Sequence, residues 1–253
     1  MRRLWLRWAL LIAFVAVLGV AFVSLGNWQL DRLAERKDRN ATTIANEQKP
    51  VQPYEQVFTH AITDADQWQR VEARGTFDAD HQFVVRYRGN GGVDGYEVVT
   101  PLRTASGAVL VDRGFIPLER GTRIPSVAPA PPAGEVTVVG HVRRSEKGRR
   151  AATTPVSNQM RLINSDAIAA TLPYDIESGY IGLITVRPEQ QGGFQPIQLP
   201  ELSDGPHFWY AVQWFMFTTI AVAGIVVFIR GDLRARREER EDATEAHATG
   251  VRI

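Results

Sequence analysis

Two stretches without a charged side chain constrain this chain more than any other feature. Residues 9–28 read ALLIAFVAVLGVAFVSLGNW, and residues 208–229 read FWYAVQWFMFTTIAVAGIVVFI. A helix needs about 20 apolar residues to cross the hydrocarbon layer of a bilayer, and both stretches reach that length. Aromatic residues sit at their ends (Trp5, Trp8 and Trp28; Phe208, Trp209, Tyr210 and Trp214), where rings suit the headgroup layer. Two transmembrane helices are expected, at 9–28 and 207–229.

The first stretch follows a basic start with Arg2, Arg3 and Arg7. It is longer than a signal-peptide core, and no small-x-small cleavage site follows it, so an uncleaved signal anchor is expected. Charge then sets orientation. Residues 1–8 carry three Arg and no acid, and residues 230–237 carry Arg230, Arg234, Arg236 and Arg237 against Asp232. Positive charge stays on the cytoplasmic side, so both termini are expected in the cytoplasm and the chain in the cell membrane. Residues 29–206 hold 20 basic and 22 acidic residues. They are expected outside, in a segment long enough to bury its own core. Residues 230–253 read as a charged cytoplasmic tail, a short helix fraying into disorder.

The near-neutral total charge of +1 thus hides three compartments. It offers no basic face for nucleic acid. The absence of cysteine excludes disulfides, thiolate metal sites, covalent haem attachment and a cysteine nucleophile. Met160 and Met216 are too few for a soft copper site. His60, His81 and His141 lie in separate segments with no metal spacing, and His247 lies in the tail. No nucleophile elbow, zinc-helix motif, phosphate loop or defensible carboxylate pair occurs, so no enzyme is expected.

Residues 29–49 (QLDRLAERKDRNATTIANEQK) are polar helix formers that would continue the first span as a stalk, ended by Pro50 and Pro53. Strands are expected at 68–77, 82–88, 96–103, 108–116, 135–142 and 180–187, which are rich in Val, Tyr and Phe, several of them with period-2 alternation. Gly89-Asn90-Gly91-Gly92 and Ser106-Gly107 read as hairpin turns. A short helix is expected at 165–172, capped by Ser165 or Asn164. Residues 120–132 are Pro-rich and read as a loop or polyproline excursion. Residues 143–150 (RRSEKGRR) hold five basic residues and one acid. They suit a solvated tip, a docking patch or a lipid-headgroup contact, the first being favoured. The expected fold is a membrane protein with two transmembrane α-helices flanking an extracytoplasmic α+β domain. An antiparallel sheet dominates that domain, with a curled or barrel-like form open to it.

Four segments in order resemble the SURF1 family, assembly factors of cytochrome c oxidase. They are Gly26-Asn27-Trp28-Gln29-Leu30-Asp31-Arg32 with Lys37; Gly95-Tyr96 with Thr100-Pro101-Leu102; Val109-Leu110-Val111-Asp112-Arg113-Gly114-Phe115-Ile116-Pro117; and His207-Phe208-Trp209-Tyr210-Ala211-Val212-Gln213-Trp214-Phe215. Phe115 stands where the family has Trp, and Gly205-Pro206 precede His207 where Asn is usual. The resemblance implies bacterial relatives that bind haem a and deliver it to oxidase subunit I, with the second-span histidine required. It implies subunit I as partner, with haem a synthase as a further one beside the lipid bilayer. The alternative is a cofactor-free scaffold that steadies subunit I.

An imidazole at the outer membrane boundary can ligate haem iron, which makes His207 the candidate metal ligand. His207, Tyr210, Trp214 and Thr218 share one helix face by spacing, and a flat tetrapyrrole could stack there. The competing reading has His207 bonded to backbone or headgroup and the rings forming an interfacial belt. Trp28, Gln29 and Arg32 stand at the same depth. Arg32 could pair with a haem propionate, or with Asp31, Glu35 or lipid phosphate. Arg113 is expected in a buried ion pair, and Gly114 at a bulge or close backbone approach.

Overall fold

The computed structural model describes residues 2–119, 121–125, 127–197, 199 and 202–250, with the side chains among them from Trp5 to Asp242. Arg120 and Ser126 of the Pro-rich stretch, residues 251–253 of the tail and the side chain of His247 lie outside the described residues. In chain order the elements are α1 (Arg2–Glu47), β1 (Gln52–Pro53), β2 (Arg70–Phe77), β3 (Phe83–Asn90), β4 (Val93–Arg103), β5 (Ala108–Pro117), β6 (Glu135–Arg143), α2 (Arg150–Thr153), β7 (Gln159–Met160), α3 (Ser165–Ala169), β8 (Tyr180–Arg187) and α4 (His207–Gly250). Two units result: residues 1–40 with 202–253, and residues 41–201.

The first unit is a pair of long helices. No proline interrupts residues 2–49, so the expected span and stalk form one helix of 46 residues. The second apolar stretch likewise continues into its charged tail as one helix of 44 residues. Both are long and apolar enough to cross a membrane by length and composition, and only 6% and 0% of their most apolar windows is buried. A core helix of a water-soluble fold would be covered by protein; these are not.

The two helices touch along a seam. Trp8 is buried, and its indole N–H donates to Asp232 Oδ2 at 3.0 Å. Phe22 stacks on Trp214 with centroids 5.6 Å apart. At Gly26 the Phe215 ring occupies the space a Cβ would need, 2.6 Å away. Beyond the apolar length, Asn40 Nδ2 donates to Asp204 Oδ1 at 3.4 Å.

The second unit is an eight-stranded sheet in the order β1-β2-β6-β8-β5-β4-β3-β7. Neighbours are antiparallel except β1–β2, β3–β7 and β5–β8, which are parallel. An extra contact joins β2 to β4 through Thr76↔Arg103 and Phe77↔Leu102. The expected curled or barrel-like sheet takes only this form. Gly91 and Gly92, at φ +60° and +82°, make the two-residue turn between β3 and β4, a conformation that asks for glycine. Asn164 caps α3 through its side-chain oxygen, which accepts from the Ala167 N–H.

The strands differ in how they are covered. β6 alternates, with Val136, Val138, Gly140 and Val142 turned inward, the pattern of a sheet with one wet face. β5 is buried from Ala108 to Phe115. Its Val109 and Val111 join the main core, while Phe194 and the Pro-rich segment, through Ile124 and Ala128, pack on a separate cluster around Tyr96 and Val98. Gly114 sits at φ +124° and lies so close to the Gln195 carbonyl that a Cβ would fall 2.9 Å from it. Phe115 and Gln195 bridge there, so the expected close approach at Gly114 is present.

Candidate functional site

His207 opens α4 directly after Pro206, whose carbonyl accepts from the Tyr210 N–H at 3.2 Å. Gly205 turns the chain into the helix at φ +69°. His207 is partly buried, and its Nδ1 lies 2.7 Å from Gln29 Oε1. An amide oxygen only accepts, so Nδ1 carries the proton and donates. In a neutral ring Nε2 then keeps its lone pair, and no hydrogen bond to Nε2 occurs among the described residues.

The other expected site residues separate. Trp214 turns onto the seam, stacked on Phe22 and edge-on to Phe217. Ala211, one turn after His207, is buried, and Thr218 Cγ2 faces Gly19. The face that joins His207, Trp214 and Thr218 is therefore largely packed against α1. Tyr210 is half exposed. Arg32 pairs with Glu35 at 2.7 Å and covers the Trp28 ring, which was one of the partners foreseen for it. Gln29 was foreseen only as a residue at the depth of His207; nothing local in the sequence says which way either helix is rotated.

The sheet domain holds a buried polar system that sequence reading missed. Arg88 reaches Glu146 with Nη2 at 2.9 Å and Glu97 with Nε at 2.6 Å. Burial disfavours its charge, but Glu97 and Glu146 outweigh that and hold its pKa above the usual value. Asp112 is 2% exposed, and its Oδ1 accepts from the Gly114 N–H. Burial, and then the nearby Glu97 charge, push its carboxyl well above the usual range despite Arg88. Glu97 moves the same way, burial outweighing Arg88. These groups line a cavity of about 470 Å³ with Arg143, Tyr180 and Trp68. Trp68 has φ +73°, an uncommon conformation for a bulky residue, and Arg143 stacks on its ring at 4.1 Å. The sequence signal was there: charged residues interrupt the apolar pattern of three neighbouring strands.

Two expectations are corrected here. Among the described residues Arg113 makes no ion pair. It is 1% exposed and donates to Gln82 Oε1 (2.7 Å), Pro129 O (2.7 Å), Ala130 O (3.1 Å) and Gln190 Oε1 (3.1 Å). Burial lowers its pKa to about 10. The guanidinium fork can satisfy several neutral oxygens at once, and here it pins the Pro-rich segment to the sheet. The basic stretch 143–150 is a solvated tip only in its second half: Arg144 pairs with Asp64 at 2.6 Å and Glu146 accepts from the Ile163 N–H, while residues 147–150 are exposed.

Two long apolar helices flanking one sheet domain define the architectural class of this chain. Within it, the SURF1 family model matches residues 16–219. An uncharacterized SURF1-like protein of Mycobacterium tuberculosis (strain H37Rv) is 31% identical over 242 residues, covering 93% of this chain and 87% of the relative. One from Mycobacterium bovis matches equally. A SURF1-like protein of Rickettsia felis is 28% identical over 214 residues, covering 82% and 90%. The chain belongs to the SURF1 family, which is linked to cytochrome c oxidase assembly.

Proposed function

We propose that this chain is a membrane-anchored assembly factor that holds haem a, or helps load it, during maturation of subunit I of haem-copper cytochrome c oxidase. Ligation and handover are binding steps, so no turnover is involved. Both apolar segments lie in the cell membrane in this reading, with the termini cytoplasmic and the sheet domain outside. The seam length supports the crossing, and the positive-inside charge pattern supports the sidedness. A helix rises about 1.5 Å per residue, so the ties at Trp8 and Gln29 stand about 32 Å apart along α1, close to the hydrocarbon thickness of about 30 Å.

The observation that carries the ligand reading is the His207 imidazole, with Nδ1 2.7 Å from Gln29 Oε1 and no hydrogen bond to Nε2 among the described residues. Neutral imidazole in that state is a haem-iron ligand. When bound, the haem supplies the iron that accepts Nε2. Tyr210 flanks the ligand, and Trp214 supports the helix from within the seam rather than offering a stacking face. Arg32 can exchange Glu35 for a propionate cheaply, because an exposed ion pair contributes only about 0–1 kcal/mol.

The packed seam favours a second reading, a cofactor-free scaffold that steadies subunit I, with haem a synthase or other factors loading the haem. Purification from cells that make haem a separates the two. The ligand reading expects haem bands in the wild type and their loss in His207→Ala. Equal spectra overturn it, and haem-free protein that co-purifies with oxidase subunits establishes the scaffold.

A further inference from the structure

We infer that Gln29 is the positioning residue of the His207 site: it sets the imidazole tautomer and ring direction so that Nε2 is presented as the ligand atom. This rests on the ligand reading above for its purpose, and on the helix pair for its geometry. Gln29 and His207 are 178 residues apart in sequence and belong to different helices, so their contact is set by how α1 and α4 pack. Gly26 and Gln29 share one face of α1 by three-residue spacing, and His207, Ala211 and Phe215 share one face of α4 by four-residue spacing. Phe215 fills the space beside Gly26, and Ala211 is 1% exposed. A close approach of the two helices thus lies about one turn from Gln29 and two turns from His207, and it constrains their mutual register.

The chemistry follows from the donor and acceptor roles. Which imidazole nitrogen binds a metal is decided by the hydrogen bond the other nitrogen makes. A neutral acceptor on Nδ1–H fixes the ring and raises the basicity of Nε2, and removing such an outer partner lowers metal affinity by about 10–100-fold. A glutamine gives direction without adding a charge at the membrane boundary, where an unpaired carboxylate would be costly.

The test uses the full chain in lipid nanodiscs with ¹⁵N-labelled histidine, the His207 resonances being assigned by their absence in His207→Ala. The wild type is expected to show His207 protonated at Nδ1. Gln29→Leu should shift it towards the Nε2-protonated form, and Gln29→Glu should retain Nδ1–H. A wild-type His207 protonated at Nε2, or an unchanged signal in Gln29→Leu, overturns the inference without any haem present. Hemin titration is the second readout. Gln29→Leu should weaken binding by about 10–100-fold, and Gln29→Glu should keep the affinity and lower the midpoint potential of the bound iron. Loss of binding in His207→Ala with full affinity in Gln29→Leu removes the role of Gln29 and leaves the ligand reading standing. Undiminished binding in His207→Ala removes the ligand reading, while the tautomer result still decides whether Gln29 orients the ring.

Discussion

Val71, Val98 and Val111 of the sheet domain are 0% exposed, whereas Val17, Val20 and Val227 of the long helices are 69%, 70% and 70% exposed. Polar groups are distributed in the reverse sense. The sheet domain encloses Arg88, Glu97, Asp112 and Arg113, while the helix pair places its polar ties beyond or at the ends of the apolar length. In water, apolar side chains must be hidden, and a buried charge survives when enough partners surround it. In hydrocarbon, apolar side chains can face outward and polar groups are held to the boundaries. The sheet domain follows the first rule, and the exposed apolar helices fit the second.

If the units are held this differently, substitutions should separate them. The largest effect is expected from Arg113→Met, which removes the guanidinium donor from four part-buried oxygens, of which Gln82 Oε1 keeps Thr100 as a donor. It should lower the stability of the sheet domain by about 3 kcal/mol or more, and expose residues 121–134 to protease while helical content is retained. Unchanged melting and protease resistance would show that the oxygen cage around Arg113 does not hold the domain.

Gly26→Leu should act on the other unit. The added side chain meets the Phe215 ring, and overpacking of this kind costs about 1–3 kcal/mol. Because the chain has no cysteine, disulfide formation between Gly19→Cys and Thr218→Cys reports the seam directly. It should fall in the Gly26→Leu background while the melting of the sheet domain stays put. Asn46→Ala comes next. Asn46 is 4% exposed and donates to Ala65 O and Gln67 O at 2.7 and 2.8 Å. Its loss should cost about 1–2 kcal/mol and leave the Gly19/Thr218 disulfide unaffected.

Asp112→Asn should be smaller and stabilising. The folded-state pKa of Asp112 is raised, so the folded domain binds this proton more tightly than the unfolded chain does. That contribution is present below the unfolded value near 3.8 and is lost as pH rises through the folded one. At pH 7 the variant should therefore melt higher than the wild type, with the difference vanishing below about pH 4. A variant that melts lower at pH 7 would mean the charged carboxylate is favoured where it lies. Arg32→Gln should do least, within about 0.5 kcal/mol, since its pair with Glu35 is exposed.

Much of the sheet was legible beforehand. The expected strand at 180–187 coincides with β8, and the others agree within a few residues, because alternation and β-branched content are local signals. β1, β7 and α2 were not foreseen. They hold two, two and four residues, too few to carry a period, and β1 and β7 exist only through the strands they pair with. At the site, His207 and Gln29 could be placed at one depth, and His207, Trp214 and Thr218 on one face. Which way that face turned could not be read, and it turned onto α1 at Trp214.

The sequence alone determined the two long apolar helices, the strand set between them and the family motifs, because each depends on residues close together along the chain. Only the tertiary structure decided the parallel β5–β8 pairing, the enclosure of Asp112 beside Glu97 and Arg88, the neutral cage of Arg113 and the Gln29 acceptor of His207. Those contacts join distant residues, and they depend on strand register and on the rotation of each helix about its axis. Local propensity is blind to both, since the same amphipathic pattern can be satisfied by more than one neighbour.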